Sequence, residues 1–387
     1  MASNSSTSAL FEPITLSSAT KPLGHRMALA PLTRFRANDD HVPIVPLMAE
    51  YYSQRASSLP GTLLITEATF VSPSAGGMDN VPGIWNQEQI DAWKAVTDAV
   101  HAKGGLIFLQ LWSLGRAAFE KVAKKEGFEV HSSSDIPIPE EGSAVPKAMT
   151  EEEIKQRVKE YATAAKNAVE GAGFDGVEIH GANGYLIDQF LQDTCNKRTD
   201  KYGGSVENRS RFALEVVDAV VEAVGAGRTG IRLSPYSTFQ GMRMADPVPQ
   251  FTDVIRKIGE KHQLAYIHLV QTRIAGNKTE SKPDEEVEEE SLHFVLDVWK
   301  GPLLIAGGLT PESAKHLVDE EYKGRDVVAV FGRYFISTPD LPFRVKENIE
   351  LNDYDRNTFY TPKSPVGYVD QPFSKEFEAL NGVKAQI

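Results

Sequence analysis

Short runs rich in Val, Ile and Leu alternate along the chain with longer segments whose apolar residues recur at helical spacing. Eight such runs stand out, at residues 27–33, 63–70, 106–112, 176–182, 230–235, 266–270, 303–309 and 327–334. Between them, helical periodicity covers 87–103, 151–170, 209–224, 251–262, 291–300 and 311–320. Two helix starts carry their own signals: Thr150 and Glu153 have capping-box spacing, and Thr310 precedes a proline in the first turn. Buried parallel strands joined by helices form an open doubly wound sheet or a closed barrel, and a count of eight favours the barrel. The pattern therefore predicts an α/β chain, one (β/α)8 TIM-barrel domain over residues 1–387.

Two connections break the rhythm. Residues 113–149 hold Pro137, Pro139, Pro146 and a run of serines, so they read as an excursion after the third strand, a lid over the strand ends. Residues 277–290 carry a run of Asp and Glu, which reads as a solvated loop leading into a helix. The pattern Gly171-Ala-Gly173-Phe-Asp-Gly176 matches a dinucleotide fingerprint, but it follows a helix and precedes a strand, the reverse of the order that cradles a pyrophosphate. It is expected to end a helix and turn the chain.

Composition narrows the function. With 41% hydrophobic and 24% charged residues the chain can bury a large core, and a net charge of −12 opposes binding to a phosphate backbone, so no nucleic-acid partner is expected. Cys195 is the single cysteine, which excludes an intramolecular disulfide and a multi-cysteine metal cluster. The first residues lack a basic segment and an apolar stretch, and no run reaches membrane-spanning length, so a cytoplasmic protein with no membrane partner is expected. A monomer and a homodimer remain equally open.

Candidate chemistry gathers at predicted strand ends, where barrel enzymes keep their sites. His180 and Asn183 can both donate to one oxygen, and Tyr185 adds a phenolic proton, a set suited to polarising a carbonyl and protonating its neighbour. Glu178 shares the strand face of His180, yet no further His or Cys completes a metal set, and no metal is expected. Gly307 and Gly308, with Gly332 and Arg333, offer backbone amides and a cation at the seventh and eighth strand ends, where barrels bind phosphate. Gln110 and Arg232 are polar positions inside apolar strands. Arg232 either pairs with a carboxylate such as Glu178 or Glu67 or, with Gln110 and Thr33, holds a polar heterocycle. Trp112, Phe239 and Tyr360 are aromatic, fit for pocket walls or for packing.

The motifs Ala30-Pro-Leu-Thr-Arg34, Ile65-Thr-Glu-Ala-Thr69, Gln110-Leu-Trp112, His180-Gly-Ala-Asn-Gly-Tyr185, the stretch from Arg198 to Arg209, and Phe331-Gly-Arg333 occur in order, and the chain resembles the Old Yellow Enzyme family from about Phe11 to Asp370. The resemblance implies non-covalent FMN reduced by NADPH and re-oxidised by small electron-poor alkenes. It places Pro31, Thr33, Ala68, Gln110 and Arg232 around the isoalloxazine, and Gly307, Gly308, Gly332 and Arg333 at the phosphate. His180 and Asn183 would hold the substrate oxygen, Tyr185 would protonate the α-carbon, and Trp112, Phe239 and Tyr360 would line the substrate pocket. An isomerase on the same scaffold is the alternative, disfavoured by the presence of Tyr185. A non-redox barrel hydrolase or binding protein is the third reading. Ala68 stands where relatives often have glycine, which does not threaten cofactor binding, while the acidic loop after the sixth strand lacks the aromatic that some relatives place over the substrate, which leaves substrate range and stereopreference open.

Overall fold

The computed structural model describes residues 8–271, 274–275, 278–279 and 290–381, so the acidic run expected to be a solvated loop lies largely outside the described residues. Eight parallel strands form the centre: β1 (Met27–Leu29), β2 (Leu63–Ile65), β3 (Leu106–Trp112), β4 (Gly176–Gly181), β5 (Thr229–Leu233), β6 (Tyr266–Val270), β7 (Leu303–Ala306) and β8 (Val327–Phe331). Each pairs with its successor and β8 pairs back with β1, which closes the sheet into a (β/α)8 barrel with no open edge.

Several strands are shorter than the apolar runs that announce them. β1 ends at Leu29 rather than Thr33, because Pro31 has no N–H to give the ladder. The second run splits: β2 stops at Ile65, and Thr69–Phe70 rejoins the sheet beside the end of β3. The helices α1 (Val45–Ala56), α2 (Gln87–His101), α3 (Glu151–Lys166), α4 (Val206–Val224) and α5 (Val248–Lys261) pack outside. The reciprocal cap of Thr150 and Glu153 forms, and α3 runs on through a wider turn, Asn167–Gly171. Gly173 follows with φ 77°, so this glycine-rich stretch does turn the chain. The segment expected as a helix over 291–300 is a tight turn, Leu292–Phe294, and a single helical turn, Val295–Val298.

Alternation along each strand divides the core in two. Met27, Leu64, Ile107, Val177, Ile231, Ile267, Ile305 and Ala329 face the helices, while Ala28, Leu63, Leu106, Phe108, Leu304 and Val328 fill the barrel interior. Ile14, Leu16 and Leu23 join that interior cluster through the Ile14–Leu23 bridge and seal the end where the strands begin. Toward the opposite end the interior positions of β3 to β6 turn polar. The excursion 113–149 leaves from there, with a turn at Gly115–Ala117, a helix at Glu120–Lys125 and a short pairing of His131–Ser132 with Lys147–Ala148.

Candidate active site

Register brings the polar interior positions into rows. Gln110 on β3 lies opposite Glu178 on β4, and one level higher His180, Arg232 and His268 face one another across β4, β5 and β6. In the lower row Gln110 Nε2 donates to Glu178 Oε1 at 2.7 Å, and His268 Nδ1 meets Glu178 Oε2 at 2.8 Å. Burial alone pushes the Glu178 carboxyl up, but His268, Arg232 and Gln110 together bring it below the usual carboxylate range. His268 is thus a bonded strand residue rather than a free catalyst. Burial beside Arg232 keeps it on the neutral side.

Above these rows opens a cavity of about 580 Å³. Its walls include all of the positions singled out in the sequence: Pro31, Thr33, Ala68, Gln110 and Arg232; Gly307, Gly308, Gly332 and Arg333; Trp112, Phe239 and Tyr360; and His180, Asn183 and Tyr185. Strands carry Gln110, Trp112, His180 and Arg232, while the loops after β1, β2, β4, β5, β7 and β8 carry most of the rest. Arg232 forms no ion pair with Glu178 or Glu67, and its Nε has no partner, so of the two readings open in the sequence the pairing one fails. Burial lowers the pKa of its guanidinium and Glu178 raises it.

The loop after β4 is built by strain and bonding together. Asn183 and Gly184 both adopt left-handed backbone, φ 59° and 74°, and the Asn183 N–H donates to Ser234 Oγ at 2.8 Å while that of Gly184 donates to Asp188 Oδ2 at 2.8 Å. A Cβ on Gly184 would stand 2.9 Å from that of Gln240, so the loop after β5 closes directly on this turn. Tyr185 then enters a short helix, Leu186–Leu191.

Three rings meet at the cavity. Trp112 stacks on His180 at 6.1 Å and 18°, and Tyr185 stands edge-on to both, 4.7 Å from Trp112 and 5.0 Å from His180. Burial, with Arg232 and His268 nearby, holds the His180 imidazole well below its ordinary pKa, so it is neutral at pH 7. Its Nδ1 accepts from the Ala182 N–H at 3.4 Å, which leaves the proton on Nε2 as a donor. Burial pushes the Tyr185 phenol up, opposed by a hydrogen bond from the Gln240 side chain, so the phenol keeps its proton. Tyr360 lies at the exposed rim, edge-on to Phe35 at 5.8 Å.

Phe35, Met78, Tyr354 and Gln240 went unremarked in the sequence. Phe35 directly follows a singled-out motif and was within reach. Met78 and Tyr354 sit in loops without periodicity. Gln240 has φ 58° inside the turn Phe239–Gly241, a conformation that its residue type does not announce. Among the described residues no cluster of His, Cys, Asp and Glu could hold a metal ion, and no helix is long and apolar enough to cross a membrane.

The cavity fits a flavin mononucleotide. Arg232 offers an unpartnered buried N–H, and small residues, Ala30, Ala68 and Ala306, leave room for a flat ring. At Gly332 an added Cβ would meet nothing nearer than 3.8 Å, so a side chain there would project into open space beside Arg333. Gly308 holds φ 70°, which turns the backbone after β7.

Residues 9–352 match the model of the NADH:flavin oxidoreductase / NADH oxidase family. The chain is 53% identical to the NADP-dependent oxidoreductase lnbE of Aspergillus flavus and 55% identical to the chanoclavine-I aldehyde reductase fgaOx3 of Penicillium roqueforti, each over 92% of this chain and 94% of the relative. It is 51% identical to a protein of Claviceps fusiformis named probable inactive dehydrogenase easA, over 96% of both. The crystal structure of Old Yellow Enzyme from Pichia sp. AKU4542 superposes with a TM-score of 0.86 at 41% identity, covering 95% of this chain and 94% of that one. The chain therefore belongs to the NADH:flavin oxidoreductase family as an Old Yellow Enzyme member, an FMN-dependent oxidoreductase.

Proposed function

We propose that the protein reduces the alkene of small α,β-unsaturated carbonyl or nitro compounds at the expense of NADPH. Bound FMN would supply the redox chemistry, taking a hydride from NADPH and delivering one to the β-carbon of the alkene. Pro31, Thr33, Ala68, Gln110 and Arg232 would hold its ring, with Arg232 stabilising negative charge on it, and Gly307, Gly308, Gly332 and Arg333 its phosphate. His180 Nε2–H and the Asn183 amide are suited to donate to the substrate oxygen, where charge develops as the β-carbon is attacked. Tyr185 is suited to give its proton to the α-carbon and to regain one from water. Trp112, Phe239 and Tyr360 would form the apolar walls that orient the alkene.

The observation that carries this reading is the junction of neutral His180 and protonated Tyr185 at 5.0 Å in one cavity: a donor for the oxygen and an acid for the carbon. The chanoclavine-I aldehyde reductase name of one relative favours an unsaturated aldehyde over a nitroalkene. Tyr185→Phe should slow re-oxidation of the reduced enzyme by an enone or enal about a hundredfold or more while sparing reduction by NADPH. Anaerobic spectra of the two half-reactions, with product mass, give the test. A product without two added hydrogens would defeat the reductase reading in favour of the isomerase. Equal slowing of both halves would remove the proton-donor role.

A further inference from the structure

Arg116 is nearly fully buried, although it belongs to the excursion that leaves β3. Its side chain bonds no carboxylate. Nη1 donates to the carbonyl oxygens of Ile136 at 3.1 Å and Pro137 at 3.0 Å, and Nη2 donates to that of Gln240 at 2.8 Å. One guanidinium thus joins the proline-rich part of the excursion to the loop after β5. The two segments touch directly as well, since a Cβ on Gly241 would stand 2.5 Å from Pro139. Its own backbone is fixed: the Arg116 N–H donates to Gln189 Oε1 at 3.1 Å, and Gln189 Nε2 donates to the carbonyls of Leu114 at 3.0 Å and Gly184 at 2.7 Å. The latch is therefore anchored to the turn that delivers Tyr185.

The residue held by the latch is unusual. Gln240 has left-handed backbone at φ 58°, followed by Gly241 at φ 71° and, two residues further, Arg243 at φ 78°. Such a loop persists only when its surroundings determine it. Phe239, one residue earlier, lines the cavity, and Gln240 packs against the turn that delivers Tyr185, since a Cβ on Gly184 would stand 2.9 Å from that of Gln240. Holding Gln240 in place therefore holds the turn that brings Tyr185 to the cavity.

We propose that Arg116 is a positioning residue for proton delivery: it latches residues 136–137 of the excursion to the Gln240 carbonyl and so holds the loop that packs against the turn carrying Tyr185. The excursion is then a clasp on the acid rather than only a cover over the mouth. Arg116 does not line the cavity, and this role rests on the proposed reduction of an alkene by way of Tyr185.

Arg116→Met keeps most of the bulk and removes the donors, and Arg116→Lys restores one charge-bearing donor. Each is made in the wild-type and Tyr185→Phe backgrounds, with FMN bound, and read by anaerobic reduction with NADPH and re-oxidation with 2-cyclohexenone. Arg116→Met should slow re-oxidation about tenfold in the wild-type background and less than about twofold in Tyr185→Phe, because both changes disable the same step. Reduction should change by less than about twofold, and Lys should recover part of the loss. Independently of turnover, cleavage by a glutamate-specific protease after Glu140 or Glu141, both exposed, should accelerate in Arg116→Met. Equal losses in the two backgrounds, or equal slowing of both half-reactions, would overturn the assignment. If Arg116→Met does not fold, Gly241→Ala, whose Cβ would meet Pro139 at 2.5 Å and part the two segments, must show the same dependence on Tyr185. A wild-type enzyme that no enone re-oxidises would instead count against the proposed function.

Discussion

The two ends of the barrel are made from the same strands and solve opposite problems. Where the strands begin, the interior is Leu63, Leu106, Phe108, Leu304 and Val328, capped by Ile14, Leu16 and Leu23, and the buried imidazole there is satisfied: His25 meets Thr62 Oγ1 at 2.9 Å and accepts the Met27 N–H at 3.1 Å. Where the strands end, interior positions go to Gln110, Glu178, His180, Arg232 and His268, and buried atoms of Trp112, Arg232 and His268 lack any partner. Unsatisfied buried polar atoms cost free energy, and folding alone offers no return for leaving them at the mouth. The difference teaches that stability is made at the closed end and spent at the open one.

The largest expected effect tests the closed end. Phe108→Ala should cost about 3–5 kcal/mol of unfolding free energy, read by urea denaturation of the FMN-free protein, because the ring fills the space that Gly176 leaves for it. A loss under about 1 kcal/mol would mean that the interior collapses around the void and that the closed end is not where stability resides.

Arg232→Met tests the other end. It should weaken FMN binding by about 1.5–3 kcal/mol, roughly ten- to a hundredfold by fluorescence titration, because a charged donor to the ring is lost. The apoprotein should lose less stability than in Phe108→Ala. Glu178 loses a distant cation, yet His268, bonded to it at 2.8 Å, can take up a proton in compensation. Unchanged FMN affinity would send Arg232 back to a purely structural role and blur the contrast between the ends.

The same contrast explains what could be read in advance. Strands buried on both faces are nearly continuous apolar runs, so the eight strands were legible, and side-chain caps such as Thr150 with Glu153 marked helix starts. Helix α1 was not, because Ile44 supplies no side-chain cap to mark its start. Polar letters inside apolar strands, Gln110 and Arg232, exposed the site, since burial of such groups demands a reason. Gln240 and Arg116 stayed hidden: one acts through a left-handed loop and the other through bonds to backbone carbonyls about 20 and 124 positions away, and neither leaves a local pattern.

Two histidines sharpen the comparison at its smallest scale. At the closed end His101, at the end of α2, bonds Asp175 Oδ2 at 2.9 Å, and that carboxylate also accepts the Ile107 N–H at 2.8 Å. The hydrogen bond that the imidazole donates to Asp175, partly offset by burial, raises its pKa above the ordinary 6.5. A raised folded-state pKa means stability fully present below pH 6.5 and lost as pH rises through the folded value. His101 is half-exposed and screened by solvent, so His101→Gln should cost well under about 1 kcal/mol at pH 5.5 and nothing at pH 9, measured by denaturation at the two pH values. His180 has the opposite sign: its lowered pKa makes folding less favourable as pH falls below 6.5, where the unfolded chain takes up a proton that the buried ring refuses. Because the ring stays neutral throughout, enone re-oxidation should show no break attributable to His180 between pH 6 and 8. A break near 6.5 that vanishes in His180→Asn would show that the open end admits enough water to charge its imidazole, and the electrostatic distinction between the two ends would fail.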